Sequence, residues 1–202
     1  MRGVLSGEHS LSIVEVVEEL VKNVMSSDPV HGYPHVVRVR KLALHIASYY
    51  NEVDKEVIEL AALLHDIGRS GPGSADHAFT SAKVAELLLK SMKYPEDKVK
   101  VIVEAISTHS YSASREPQIL EAKILSDADK LDALGAVGIA RVFLYSGAIG
   151  RGIEESIAHI KTKILKLPDL MKTPQGRELA LERVKIVWDF IKCIEKELNL
   201  KE

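Results

Sequence analysis

Apolar residues recur at steps of three and four along most of the chain, which is the spacing of one face of an α-helix. The stretch after Pro34 is the most informative, because His35, Val39, Leu42 and Ile46 fall on one face. The basic residues of this stretch lie largely on other faces. The spacing therefore predicts an amphipathic helix with a histidine on its apolar stripe.

Further helices are indicated by apolar runs that follow typical helix-starting residues, namely Asp54, Asp76, Pro95 and Pro117. No stretch keeps the two-residue alternation of a β-strand for long. Because no linker, low-complexity tract or repeat appears, we expect an all-α, single-domain helical bundle over residues 1–202. The predicted helices are Lys55 to His65, His77 to Lys90, Val99 to His109, Ile119 to Leu131, Ile153 to Leu167, and Thr173 to Leu198 with a stripe of Val184, Val187, Trp188 and Ile191.

The clearest irregular segment runs from Arg69 to Ala75 and contains Gly71, Pro72 and Gly73 in succession. Loops beside rigid elements often carry functional residues. Since this loop directly follows an adjacent histidine and aspartate, we expect it to form a wall or lid of a site.

Composition narrows the class of protein. Hydrophobic residues make up 46% of the chain, enough for a sizeable core, and 27 basic residues nearly balance 29 acidic ones. This balance gives no strong nucleic-acid signature. The chain has a single cysteine, and its first residues lack a continuous apolar stretch; both features favour the cytoplasm. Asp132 and Arg141 interrupt the apolar window from Leu131 to Gly150, so no membrane span is predicted.

Three histidines coincide with apolar stripes or helix ends: His35, His65 and His109. The pair His65-Asp66 closes the apolar run from Leu60 to Leu64. Buried polar groups must be hydrogen-bonded or bound to metal to offset desolvation. Any one of these histidines could simply be a satisfied core or cap residue. Three of them with nearby acids favour a metal site.

Carboxylates for such a site occur in the helix from Ala122 to Asp132, where Asp127, Asp129 and Asp132 interrupt apolar residues. Imidazole and carboxylate together suit a divalent transition ion, and open coordination positions would leave room for water and substrate. Asp127 and Asp132 could equally be surface charge on a solvated face.

The pattern resembles the HD-domain superfamily of metal-dependent phosphohydrolases, whose signature is a histidine, a later His-Asp pair and a later aspartate on a helical bundle. The resemblance covers Val30 to Phe143 and implies a motif-bearing core of about 30–143 with helices 153–198 packed on it. It implies His35, His65, Asp66 and Asp129 as metal ligands, with Asp127 as the alternative final ligand. His77 and His109 stand where some members bind a second metal or the substrate phosphate.

Departures from subfamily patterns bear on the substrate. Arg69 stands where family 5′-nucleotidases and alarmone hydrolases carry a glutamate, and Gly32-Tyr33-Pro34 lies on the wrong side of the His-Asp pair for the cyclic-dinucleotide branch. The run from Asp127 to Arg141 is most similar to small HD proteins that resemble nucleoside triphosphate pyrophosphohydrolases. A phosphorylated small molecule, in particular a nucleotide, is therefore the expected substrate.

The expected cofactor is a divalent ion, one of Mn, Mg, Co, Ni, Zn or Fe, which would activate water for attack on phosphorus. Arg38, Arg69 and Lys130 are the nearest cations in sequence and could neutralise phosphoryl charge. Two alternatives stay open, a di-iron HD-type oxygenase and a non-catalytic nucleotide-binding module. A homo-oligomer is also left open.

Overall fold

The computed structural model describes residues 11–69, 77–110 and 115–199, which form helices without any β-strand. The predicted all-α fold class is confirmed. The elements are α1 Ile13–Val24, α2 Tyr33–Ala47, α3 Lys55–Leu64, α4 His77–Ser91, α5 Glu96–Thr108, α6 Leu120–Asp132, α7 Gly135–Ala148, α8 Ile153–Thr162, a 3₁₀ segment Ile164–Leu170, and α9 Pro174–Leu198.

Helix starts follow from capping side chains. Asp54 accepts hydrogen bonds from the backbone N–H groups of Glu56 and Val57 at the start of α3. Thr173 accepts from the backbone N–H of Gly176 at the start of α9. Such bonds satisfy amides that have no partner within the helix, so each cap fixes where its helix begins.

Helix α3 lies at the centre of the bundle and contacts α1, α2, α4, α5 and α6. Its apolar run is accordingly buried, with Leu60, Leu63 and Leu64 at 0% exposure. Burial of three leucine side chains stabilises the fold by several kcal/mol, at about 1.5–3 kcal/mol each. The residues that follow α3 therefore enter the interior rather than the surface.

The C-terminal helices pack against this bundle, with α9 contacting α6, α7 and the 3₁₀ segment. The single helix predicted from Ile153 to Leu167 is wrong, since α8 ends at Thr162 and the 3₁₀ segment follows. Pro168 lies inside that segment and has no N–H to donate to the carbonyl four residues earlier, which disfavours a continuing α-helix.

Three further outcomes concern the sequence predictions. Helix α1 was not among the predicted helices, and Trp188, placed on the apolar stripe of α9, is 48% exposed. Apart from Arg69, the predicted wall or lid lies outside the described residues, as does Asp76.

Across the described ranges, no single helix is long and apolar enough to span a membrane; α6 and α7 pass that test only as a pair bent by 69°.

Candidate metal centre

Six side chains from five helices or helix ends converge at one place in the bundle. A helix or a helix end positions each of them: one lies in the first turn of α2, two just after α3, one at the first residue of α4, one just after α5, and one in α6. All but the last are buried. They are His35, His65 and Asp66, His77, His109, and Asp129.

One group of donor atoms comprises His35 Nε2, His65 Nε2 and Asp66 Oδ2. The two imidazole nitrogens lie 3.3 Å apart, and Asp66 Oδ2 is 3.8 Å from His35 Nε2 and 3.9 Å from His65 Nε2. Asp129 Oδ1 joins from α6, 3.4 Å from His35 Nε2. The side chain of Asp129 is 26% exposed, so it faces open space rather than the core.

A second group uses the other oxygen of the same carboxylate. Asp66 Oδ1 lies 3.6 Å from His77 Nε2 and 3.9 Å from His109 Nε2. The imidazole rings of His65 and His109, one from each group, are 5.1 Å apart between centroids. Asp66 is thus shared, and the arrangement can accommodate one cation on each side of it.

The histidine tautomers are set by hydrogen bonds on the far side of each ring. His65 Nδ1 donates to the carbonyl of Ala62 at 2.8 Å, and His109 Nδ1 donates to the carbonyl of Ile106 at 2.6 Å. Because a carbonyl oxygen can only accept, the proton lies on Nδ1 and the Nε2 lone pair faces the cluster. Metal-binding histidines are typically oriented in this way.

His35 is held by a carboxylate instead. Its Nδ1 donates to Asp132 Oδ2 at 2.7 Å, and Asp132 also binds Arg38 Nε at 2.7 Å and an Arg141 nitrogen at 2.9 Å. The sequence analysis left open whether Asp132 is a site carboxylate or surface charge, and it did not select Arg141. The signal available was the helical spacing of three between Asp129 and Asp132, which puts both carboxylates on neighbouring parts of one face.

The three cations selected from the sequence lie in different surroundings. Arg69 binds Asp66 through Nε at 2.9 Å, and Lys130 Nζ donates to the carbonyl of His109 at 3.3 Å; both line the cavity described below. Arg38 does not lie with them. It binds Asp132 and the carbonyl of Pro29, and it lines a separate depression.

Asp127, the alternative final ligand, points away from the cluster. Its carboxylate accepts hydrogen bonds from the backbone N–H groups of Lys172 and Thr173, both at 2.8 Å, and from the Thr173 hydroxyl at 2.7 Å. This carboxylate joins α6 to the start of α9, so its contacts are those of a structural residue.

The charge states of Asp66 and His109 suit metal binding. Burial alone would raise the pKa of Asp66, but His65, Arg69 and His109 more than offset it and hold that pKa below its usual value. Burial lowers the pKa of His109 to about 4, and the nearby His65 adds to that effect. At neutral pH the carboxylate is therefore ionised and His109 is neutral, the forms that ligate metal.

A cavity of about 420 Å³ opens beside the cluster and is lined partly by His35, His77 and Asp129. Arg69 and Lys130 form its wall near the cluster, and another part of the wall comes from α7, α8, the 3₁₀ segment and the residues that connect them. The sequence analysis selected none of that second set, since they follow the motifs. They comprise Arg141, Val142, Tyr145, Arg151, His159, Lys163, Ile164 and Leu167.

Comparison with known proteins identifies a matching family model and two similar bacterial proteins. The HD domain family model matches residues 32–134. YpgQ of Bacillus subtilis, an uncharacterized protein, is 33% identical over 195 residues, covering 93% of this chain and 95% of YpgQ. The 3′-5′ exoribonuclease YhaM of the same species is 28% identical over 116 residues, which is 37% of its length.

Solved structures resemble the whole described fold. The crystal structure of Bacillus subtilis YpgQ in complex with ADP has a TM-score of 0.77 and 31% identity, covering 92% of this chain and 98% of that chain. A predicted HD superfamily hydrolase from an uncultured Thermotogales bacterium has a TM-score of 0.68 and 32% identity, covering 91% and 92%.

Proposed function

The chain belongs to the HD domain family, and from that premise we propose that it is a metal-dependent phosphohydrolase that cleaves a phosphate ester or anhydride of a nucleotide. The observation that carries the proposal is the convergence of four imidazoles and two carboxylates beside a cavity with cationic walls. Structural metal sites have closed ligand shells, whereas a site that opens on a cavity leaves positions for water and substrate.

The donor set fits a divalent ion. In the proposal His35, His65, Asp66 and Asp129 hold one ion, and His77 and His109 share Asp66 to hold a second or bind the substrate phosphate. Imidazole nitrogen favours Mn, Fe, Co, Ni or Zn over Mg, which prefers oxygen ligands. When bound, such an ion lowers the pKa of a coordinated water molecule and polarises a phosphoryl oxygen.

Side chains around the site would orient the metal ligands and balance the charge of the phosphate. Arg69 lies on the cavity wall with its guanidinium on Asp66, so it can neutralise charge on a phosphoryl oxygen beside that carboxylate. Lys130 lies on the same wall. Asp132 holds the His35 ring through Nδ1, and Arg38 acts through Asp132 rather than by touching phosphate.

A nucleotide is favoured by the mixed chemistry of the cavity. Its volume of about 420 Å³ falls within the usual range for small-molecule sites, and Val142, Ile164 and Leu167 offer apolar surface beside the cations. Tyr145 adds an aromatic ring. The relative YpgQ has been crystallised in complex with ADP, which supports the same class of ligand.

The test is a hydrolysis profile of the metal-replete protein against nucleoside mono-, di- and triphosphates, with the products identified. Asp66→Asn, which keeps the side-chain shape, should lower kcat at least a hundredfold and leave the fold unchanged by circular dichroism. Asp66→Ala should also abolish turnover. Full activity in either variant, or no hydrolysis of any nucleotide by the metal-replete protein, would refute the proposal.

A second function is favoured by one observation, the sharing of Asp66 between two ligand groups. Some HD proteins use a di-iron centre for oxygen-dependent cleavage, and His77 and His109 with Asp66 would supply ligands for a second ion. Anaerobic purification followed by metal analysis separates the two: two irons per chain together with oxygen uptake would favour the oxygenase.

A further inference from the structure

A second depression, of about 400 Å³, is lined by α2, the junction of α6 and α7, and α9. Its volume falls within the usual range for small-molecule sites. Among the described residues, it shares no lining side chain with the cavity beside the metal centre. We call it the α2–α9 depression, and its lining residues are Arg38, Lys41, Leu42, Asp132, Leu134, Gly135, Ala136, Val137, Arg183 and Ile186.

The charges of the α2–α9 depression are mostly positive. Arg38, Lys41 and Arg183 line it, and Asp132 is the one carboxylate among its described lining residues. The Asp132 side chain is 2% exposed, and its oxygens already accept hydrogen bonds from three side chains. Within the described ranges, no ion pair joins Lys41 or Arg183 to a carboxylate. A concave surface with charge of mostly one sign concentrates ligands of the opposite sign.

Two of these cations are held in place. Arg38 donates to Asp132 from Nε at 2.7 Å and from Nη2 at 3.0 Å. Arg183 donates to the carbonyl of Leu131 at 2.7 Å and packs over Gly135, where an added Cβ would lie 3.4 Å from its Cβ and Cγ atoms. A guanidinium has five N–H donors, so each arginine keeps donors for a further acceptor. Donors that are already ordered reduce the entropic cost of binding an anion.

The remaining lining side chains are apolar. Leu42, Leu134, Val137 and Ile186 belong to this set, and Val137 and Ile186 are 44% and 49% exposed. A hydrocarbon chain that covered them would remove apolar surface from water, which an inorganic anion cannot do. Charge and apolar surface together therefore favour an organic anion with a hydrocarbon chain.

Asp132 connects the α2–α9 depression with the candidate metal centre. It lines the depression with Arg38, and it accepts a hydrogen bond from His35 Nδ1 at 2.7 Å. An anion that shares the Arg38 guanidinium would leave more of the negative charge of Asp132 for His35. A stronger hydrogen bond at Nδ1 makes an imidazole a better metal ligand through Nε2.

We propose that the α2–α9 depression binds a small aliphatic carboxylate and that the bound anion tightens metal binding through Arg38, Asp132 and His35. The binding site itself goes beyond the proposed function and does not depend on it. The effect on metal affinity rests on the proposed metal centre.

The binding test uses hexanoate as the probe, the full chain stripped of metal over a chelating resin, and isothermal titration. Hexanoate should bind at least tenfold more tightly than acetate, because each buried methylene adds about fourfold in affinity. It should also bind at least tenfold more tightly than 1-hexanol, which lacks the charge. Equal binding of hexanoate and either comparison compound would overturn the proposal.

Two variants separate the charge from the hydrocarbon surface. Lys41→Glu should weaken hexanoate binding at least tenfold, whereas Ile186→Gln should weaken hexanoate binding and change acetate binding less than twofold. The matched control is Lys185→Glu, which reverses an exposed charge beside Ile186 that does not line the depression. It should change hexanoate binding less than twofold, and a loss equal to that of Lys41→Glu would overturn the site.

The coupling test is a Mn²⁺ titration of the metal-stripped protein with and without saturating hexanoate. Hexanoate should lower the Kd for Mn²⁺ at least threefold, and Mn²⁺ should tighten hexanoate binding by the same factor, because linkage is reciprocal. In Lys41→Glu, hexanoate should leave the Kd for Mn²⁺ unchanged, which separates the effect from complexes formed in solution. No effect in the wild type, or an equal effect in this variant, would overturn the coupling.

The remaining outcomes concern other occupants and the proposed function. A dimer in sedimentation analysis that Val137→Glu dissociates would assign the depression to a second copy of the chain and overturn the proposal. Hexanoate binding by a protein that hydrolyses no nucleotide would retain the site and refute only the proposed function. Nucleotide hydrolysis without hexanoate binding would refute only the site.

Discussion

At the scale of single residues, Asp66 connects the two halves of the candidate centre. Oδ2 faces His35 and His65, whereas Oδ1 faces His77 and His109. Its burial would disfavour the ionised form, but the surrounding imidazoles and Arg69 reverse that effect. The carboxylate therefore remains charged in the metal-free protein, ready for cations on both sides.

The two aspartates of α6 should separate metal binding from stability. Asp129→Asn should weaken metal binding at least tenfold and leave the free energy of unfolding of the metal-free protein nearly unchanged. Asp127→Asn should do the reverse, because an amide group replaces an acceptor of three hydrogen bonds; the expected loss is about 1–3 kcal/mol. Metal titration and urea unfolding of both variants check this, and the opposite pattern would assign the ligand role to Asp127.

The sequence leaves this choice open for a physical reason. Residues two apart on a helix point about 200° away from each other, so only one of Asp127 and Asp129 can face the cavity. Which one does so depends on how α6 packs against α2 and α9, and that packing is not a local property of the sequence. The role of Asp132 stayed open for the same reason.

At the scale of elements, α3 places the His65-Asp66 pair in the site. The start of α3 depends on one capping residue, Asp54. Asp54→Ala should lower the free energy of unfolding by about 1 kcal/mol, because two amide N–H groups lose their acceptor. Asp54→Asn should lose less, since asparagine also caps helices and the exposed ion pair with Lys98 contributes little.

The same cap predicts a pH dependence. The hydrogen bond from Lys98, followed by the capping bonds from the backbone N–H groups of Val57 and Glu56, holds the pKa of Asp54 below its usual value, and the capping bonds carry most of the stabilisation. The stabilisation is therefore present above the unfolded pKa of about 4 and is lost as the pH falls through the lower folded value. Urea unfolding should show that the gap between the wild type and Asp54→Ala shrinks in acid. A gap independent of pH down to about 2 would contradict the prediction.

The junction of α6 and α7 depends on a close approach at Gly138. A Cβ atom there would lie 2.1 Å from the carbonyl oxygen of Ala133, so Gly138→Ala should cost about 1–3 kcal/mol and distort the cavity wall that Gly138 lines. Gly147→Ala on the same helix is the control: nothing lies within 4 Å, and it should stabilise by up to about 1 kcal/mol. Equal thermal stability of the two variants would contradict this.

How much of each element was predictable depends on where its signals lie. The helices that carry the metal-site residues were predicted because capping residues and apolar periodicity are local features. The break after Thr162 was missed, since the run from Ile153 keeps a helical pattern across it. The cavity-lining residues after residue 134 were missed because they meet the metal-site side chains only through the packing of α7, α8 and the 3₁₀ segment.

At the scale of the whole molecule, the proposed metal ligands come from α2, the end of α3, α4, the end of α5, and α6, so a bound metal would link most of the bundle. A ligand that binds only the folded state stabilises it by mass action, by about 2.7 kcal/mol at a concentration one hundred times Kd. Metal addition should therefore raise the melting temperature, and a chelator should reverse the rise.

The number of ions bound per chain tests whether two ions share the carboxylate of Asp66. If two ions share its carboxylate, metal analysis should give two ions per chain in the wild type and one in His77→Gln, which keeps the ligands of the first group. Asp66→Asn should weaken both sites, because each group loses its shared oxygen, and should lose most of the metal-dependent rise in melting temperature. One ion per chain in both the wild type and His77→Gln would instead show a single-ion centre, with His77 left for the substrate.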